Sequence, residues 1–246
     1  MIPIREERPA AELKAAGLTR FTTIDFPGCL SAVVFVQGCP WKCVFCQNKW
    51  MQPREFAPDL EHSSWGEVEN LLLKRRGLLD AVVFSGGEPT IDPSLPAAVA
   101  RAKELGYKVG LHTSGAYPRR LSDVLANIDW IGLDVKADPR NARKYAEVAG
   151  VPNAAERFLE SYGLIKSAGT SFELRTTAHP SYLGEQDLLD LADWLSGERV
   201  RSFALQIYRR PPMLLGSLST PDASYPSRKA AEALKEAVEE FVLRRE

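Results

Sequence analysis

Cys39, Cys43 and Cys46 form a CxxxCxxC run within Gln37-Gly38-Cys39-Pro40-Trp41-Lys42-Cys43-Val44-Phe45-Cys46, and they are three of the four cysteines in a 246-residue chain. That is too crowded for a disulfide framework in a chain of this size, so the thiols read as ligands. Thiolates are soft donors that suit an iron–sulfur cluster or zinc. A loop of this length can wrap one cube and present thiolates to three of its irons. The fourth iron then stays open to a small molecule that chelates through an amine and a carboxylate. Zinc is the sober alternative: a structural zinc site needs four closed ligands, and Cys29 or His62 would have to supply the last. A redox pair at Cys43 and Cys46 is a third reading, which leaves Cys39 idle.

Other residues could serve such a ligand. In Ser85-Gly86-Gly87-Glu88 the glycines let backbone approach closely and the polar groups of the turn can hold an ammonium. Lys136 and Arg175 end neighbouring strands and can pair with a carboxylate, Arg bidentately. As isolated residues the two cations would be rim salt bridges to Glu88 or Asp134. Asp134 shares its strand face with Lys136 by alternation, and capping the next turn is its plain structural role. Cys29 reads as a buried core thiol, and His62 and His179 as surface or structural residues.

The elements that would position these groups follow a βα rhythm from residue 32 onward. The pattern predicts six strands, at 32–37, 81–85, 108–113, 130–136, 172–177 and 202–208. Helices are expected at 65–76, 95–105, 119–127, 155–168 and 184–195, with a last one at about 228–244. Polar residues gather at the C-terminal ends of the strands: Gln37 and Cys39, Ser85 to Glu88, Thr113 to Gly115, Asp134 and Lys136, Arg175 and Thr177, Gln206 and Arg209. When every strand feeds one rim, the site sits at a barrel mouth, whereas an open sheet would use chiefly its switch point. The expected fold is therefore α/β, a partial (β/α)6 barrel like a truncated TIM barrel. One domain spans 1–246, with a core at about 17–210 and a C-terminal loop and helix at 211–246. The Pro-rich stretch 209–227 reads as a long loop that either flanks the mouth or merely connects.

Composition excludes some classes. Lys plus Arg number 31 and Asp plus Glu 32, a net charge of −1, so no global field draws the chain to nucleic acid or anionic lipid. The N-terminal MIPIREERPAAELKAAG scatters charge, and apolar runs such as 32–36 fall far short of the ~20 residues that span a bilayer. A cytoplasmic protein with no membrane partner is expected.

Two motifs carry a family resemblance. Cys39-x3-Cys43-x2-Cys46, with Phe45 before the last cysteine, resembles the motif of the radical S-adenosylmethionine (SAM) superfamily, and Ser85-Gly86-Gly87-Glu88-Pro89 resembles its second signature. Asp25-Phe26-Pro27-Gly28, Gln37-Gly38-Cys39, Cys46-Gln47-Asn48, Leu133-Asp134-Val135-Lys136 and Glu173-Leu174-Arg175-Thr176-Thr177 add a likeness to the activases of glycyl radical enzymes. Within these, the anaerobic ribonucleoside-triphosphate reductase activating proteins are the most similar, over roughly residues 17–210. The resemblance implies a partial barrel of the radical SAM type, with one [4Fe–4S] cluster on Cys39, Cys43 and Cys46 that cleaves S-adenosylmethionine. It further implies that Gly86, Gly87 and Glu88 hold the amino group of the methionine moiety, Lys136 and Arg175 its carboxylate, and Phe45 the adenine. Gln47, Thr113, Asp134, Gln206 and Arg209 complete the implied cofactor contacts. The implied partners are a glycyl radical enzyme, anaerobic ribonucleotide reductase above all, and flavodoxin or a similar one-electron donor. In related activases the third strand often ends in an Asp at a monovalent-cation site. This chain departs there with His112-Thr113-Ser114-Gly115. A radical enzyme acting on a small molecule or peptide, and a zinc-binding interaction module, are the competing functions.

Overall fold

Residues 8–210 and 218–245 are described by this computed structural model, and their strands form one eight-stranded sheet in the order β1 to β8. The six expected strands are all present: β2 (Ser31–Val36), β3 (Ala81–Gly86), β4 (Lys108–Thr113), β5 (Trp130–Asp134), β6 (Ser171–Ala178) and β7 (Ser202–Ile207). They pair in parallel, each with the next, as in a partial barrel. Near-continuous apolar runs such as Ser-Ala-Val-Val-Phe-Val in β2 suit strands buried on both faces.

Around the sheet lie α1 (Trp65–Lys74), α2 (Leu95–Glu104), α3 (Pro118–Ser122), α4 (Ala142–Ala149), α5 (Ala154–Ala168), α6 (Glu185–Gly197) and α7 (Arg228–Glu236). Local chemistry sets their ends. Ser64 and Glu67 close a capping box on α1, which then buries Trp65, Val68, Leu71 and Leu72 on one stripe. Helices α4 and α5 both stop at a left-handed glycine, Gly150 and Gly169. Among the described residues no helix is long and apolar enough to cross a membrane.

Two strands were not anticipated. β1 (Ala15–Thr22) pairs antiparallel with β2, its weak alternation broken by Thr19 and Arg20. β8 (Glu240–Arg244) lies where the sequence predicts the end of the last helix. Helix α7 buries Ala230 and Leu234 and then stops, because Glu-Phe-Val-Leu-Arg pairs in parallel with β7. There Phe241 stacks on Phe203 at 6.3 Å, and Arg244 meets both carboxylate oxygens of buried Glu173 at 3.0 Å. The helix predicted at 119–127 is split into α3 and a 3-10 turn at Leu125–Asn127. Helix α4 was not predicted at all, although Asn141 caps it by accepting from the Lys144 amide.

A main core lies between helices and sheet, while a second cluster fills the barrel at the N-terminal ends of its strands. The loop between β1 and β2 turns Phe26 inward to stack on Trp130 at 5.4 Å, with Cys29, Val33, Ala81 and Val83 around it. That stoppers the lower end. No β1–β8 pairing closes the sheet among the described residues, so the barrel keeps a lateral gap. Residues 211–217 of the Pro-rich loop and 1–7 of the N-terminal segment lie outside the described residues. The rest of that loop is tied to the barrel by His179 Nε2 on the Ser219 carbonyl at 3.0 Å and by the Tyr225 hydroxyl, which donates to the Leu183 carbonyl at 2.7 Å.

Candidate active site

The cysteine loop leaves β2 and is gripped on both flanks by backbone. Gly38 and Cys39 donate to the carbonyls of Met51 (2.7 Å) and Gln52 (2.9 Å), and Lys42 and Val44 donate to Ala149 (3.0 Å) and Val148 (3.1 Å) at the end of α4. Gly150 allows that approach: it is left-handed, and a Cβ there would collide with the Lys42 carbonyl. Gln37 sits beneath the loop, donating from Nε2 to the Pro53 carbonyl at 2.8 Å, and Arg54 braces the Gln37 carbonyl and Asp92. Gln37 therefore ties segments together and does not line the mouth.

Cys39, Cys43 and Cys46 line one cavity at the C-terminal ends of the strands. Phe45 and Gln47 belong to the same wall, and Gly86, Gly87, Thr113, Asp134, Lys136 and Arg175 face it from β3 to β6. Burial, then the nearby Glu88 carboxylate, pushes the Cys39 thiol far up; burial also raises Cys43, against a downward pull from Lys136. Such thiols ionise only beside strong positive charge, which iron supplies. Neither residue expected as a fourth zinc ligand is in this wall: Cys29 is in the lower core cluster, and His62 stacks on Phe56 at 3.9 Å.

On the opposite wall, Lys136 Nζ lies 2.9 Å from Asp134 Oδ2, and Arg175 Nη2 lies 3.3 Å from Oδ1. Burial works against the charge on Asp134, but Lys136 and then Arg175 hold its carboxyl below the usual range. The same pair keeps Lys136 cationic despite its burial. Arg175 also donates to the Gly132 carbonyl at 3.1 Å, while its buried Nε has no partner among the described residues. That orphan donor and the soft three-thiol wall fit a cluster with a carboxylate-bearing ligand beside it. Gly87 is required by packing, since a Cβ there would strike the Gly38 carbonyl, which accepts from the Glu88 amide at 2.8 Å and so holds the β3 turn against the cysteine loop.

Several expected contacts lie elsewhere. Glu88 is fully buried and does not line the cavity; its carboxylate accepts from Thr90 (N, 3.2 Å; Oγ1, 2.6 Å), Thr113 (Oγ1, 2.7 Å) and Ser114 (N, 2.8 Å; Oγ, 2.6 Å). It clasps the β3 turn to the β4 turn. Replacing it with Gln puts an amide donor where donors already point and should destabilise the fold by about 2 kcal/mol, read by chemical denaturation. Gln206 and Arg209 are not in the cavity wall either; Arg209 reaches it only by a carbonyl that accepts from Gln47 at 2.8 Å. The Phe45 ring lies under Lys136 Nζ at 5.6 Å. His112 does line the cavity, but burial foremost and Arg175 next drop its pKa to about 3, so the ring is neutral. Its Nε2 meets the Asp25 carbonyl at 2.8 Å.

Comparison with known proteins agrees with this geometry. The sequence pattern of the radical SAM superfamily matches residues 33–195. The chain belongs to the radical SAM superfamily. Its cofactors are accordingly a [4Fe–4S] cluster and S-adenosylmethionine. Like this radical SAM chain, a Methanocaldococcus jannaschii protein bearing the name of a glycyl-radical enzyme activating enzyme is 34% identical over 186 residues, 72% of this chain and 73% of that one. The pyruvate formate-lyase-activating enzyme of Staphylococcus aureus is 28% identical over 207 residues, covering 76% and 78%. The PqqA peptide cyclase of Granulibacter bethesdensis is 29% identical over 89% of this chain, which spans only 56% of the cyclase. Among solved structures, Streptococcus suis SuiB shares the fold with a TM-score of 0.64 at 17% identity, covering 85% of this chain and 47% of SuiB.

The sequence reading of this radical SAM site missed α4. Its Asn cap and terminal glycine were legible, but no motif says that its carbonyls Val148 and Ala149 hold the cysteine loop. Trp41, 2% exposed and edge-on to Tyr145 at 6.2 Å, was likewise passed over as a spacer between ligands.

Proposed function

We propose that this chain is an activase that generates a glycyl radical on a partner enzyme, anaerobic ribonucleoside-triphosphate reductase being the preferred partner. The observation that carries the reading is the alignment of 34% identity over 186 residues with an activating enzyme, supported by a second at 28%. The lateral gap between β1 and β8 supports it as well, because a protein loop needs a wider approach than a metabolite does.

When bound, the cluster and S-adenosylmethionine supply a one-electron reduction and a 5′-deoxyadenosyl radical. The remaining tasks fall to side chains. Cys39, Cys43 and Cys46 hold the cluster, and the Gly86-Gly87 backbone accepts the ligand's ammonium. Lys136 and Arg175 bind its carboxylate, Arg175 using the Nε that the protein leaves unpaired. Asp134 keeps Lys136 charged and holds both cations in place, and Glu88 acts at one remove by fixing the turn that carries the two glycines. Phe45 and Trp41 exclude water from the loop. A flavodoxin-like protein would deliver the electron.

The test is anaerobic incubation of reconstituted protein, S-adenosylmethionine and a reductant with the reductase, followed by electron paramagnetic resonance. A glycyl radical signal is expected on the reductase. A second reading, action on a peptide, is favoured by the alignment with the peptide cyclase over 89% of this chain. Cleavage of S-adenosylmethionine with no glycyl signal on any reductase, but with a mass change in a peptide, would replace the first reading by the second.

A further inference from the structure

Gly132 sits in the middle of β5, a buried strand where glycine adds no packing surface and costs the most chain entropy. Its backbone is ordinary strand, so no turn demands it. Space does. Alternate residues of β5 share one face, and on the barrel-facing side these are Trp130, Gly132 and Asp134. A ring stands below the glycine and a carboxylate above it.

The gap between them is filled from the next strand. Arg175 of β6 stands in register with Asp134, yet its guanidinium leans back over Gly132. A Cβ at position 132 would lie 2.5 Å from the guanidinium carbon Cζ and 2.8 Å from both Nη1 and Nη2. No side chain fits there while Arg175 keeps this pose. The Gly132 carbonyl holds the pose by accepting from Nη2 at 3.1 Å, and Asp134 Oδ1 holds it at 3.3 Å. Nε is left unpaired, and Arg175 lines the cavity while remaining buried. The nearest neighbours of that added Cβ are all atoms at the end of a long side chain, none of them backbone. A methyl group at 132 would therefore leave the sheet intact and push the guanidinium off the Gly132 carbonyl, into the cavity.

The geometry points to Gly132 as a positioning residue for cofactor binding: its missing side chain makes a slot that fixes the Arg175 guanidinium against β5 and so presents it to the carboxylate of S-adenosylmethionine. The inference rests on the reading of Arg175 as that carboxylate's partner. Gly132 itself belongs to none of the motifs, although it directly precedes Leu133-Asp134-Val135-Lys136.

The experiment is a double-mutant cycle on anaerobically reconstituted protein, comparing wild type, Gly132→Ala, Arg175→Ala and the double variant. Each is assayed for iron and sulfide, for chemical unfolding, and for S-adenosylmethionine affinity by anaerobic titration. Gly132→Ala is expected to fold and to hold a full cluster. It should bind S-adenosylmethionine about tenfold more weakly, with the KM for cleavage raised by a similar factor, because one charge-assisted contact is misplaced. With the guanidinium removed the same methyl has room, so the double variant should match Arg175→Ala within about twofold. A glycine with a merely structural role would not give that non-additivity. Unchanged affinity in Gly132→Ala, or two losses that multiply in the double variant, would overturn the proposal. Unchanged affinity in Arg175→Ala would instead overturn the carboxylate reading beneath it. Should Gly132→Ala fail to fold, the double variant decides: folding restored by removing the guanidinium bears out the shared slot, and continued failure refutes it.

Discussion

Cys39→Ala, Cys43→Ala and Cys46→Ala will each abolish the cluster and, with it, all cleavage of S-adenosylmethionine, while Cys29→Ala will keep both. Wild-type protein reconstituted without oxygen should hold about four irons and four sulfides per chain, with the visible absorption of a cuboidal cluster. The three thiols line one cavity on a loop fixed from both sides, so removing any one leaves an iron without its thiolate and with no other cysteine in the cavity wall to replace it. Cys29 is 7% exposed in the lower core cluster with Phe26, Val33 and Trp130, at the opposite end of the barrel. Its loss trims a small buried group and should cost about 1 kcal/mol. Iron and sulfide analysis with visible spectra checks all four variants. Cluster loss in Cys29→Ala, or a full cluster in Cys39→Ala, would show the ligands misassigned.

Arg175→Ala is expected to weaken S-adenosylmethionine binding by about one to two orders of magnitude and leave the cluster in place. A charge-assisted hydrogen bond to a carboxylate is worth roughly 1.5–3 kcal/mol, which gives that range. Arg175 is 8% exposed, and its orphan Nε is the donor a ligand carboxylate would satisfy. Lys136→Ala should behave similarly, with a further loss of stability because Asp134 then keeps only one cation. Folding is checked first by denaturation, and affinity by anaerobic titration. Folded Arg175→Ala and Lys136→Ala proteins with unchanged affinity would make both cations scaffold for Asp134.

The barrel strands were legible because each is a short apolar run followed by a polar rim residue, and β4 lies at its expected bounds. The cysteine motif was legible because ligand spacing within one loop is local. Harder to read were features that exist only through distant pairing. β8 looks helical beside α7 until Phe203 and Glu173 are brought against it, and β1 has too little alternation to be seen without β2. Glu88 illustrates the limit for the site. Its motif marks it as important, yet only the fold shows its carboxylate spent on Thr90, Thr113 and Ser114.

The backbone bonds that seat the cysteine loop on Met51, Gln52, Val148 and Ala149 join protein to protein and need no metal. The loop is therefore a socket finished by folding, unlike small metal domains whose ions drive their folding. For the life of the protein in a cell, this separates two events: the chain can mature first and receive its cluster afterwards. Exposure to oxygen that strips the iron would then leave a folded, refillable protein, and repair would require delivery of a new cluster without new synthesis of the chain.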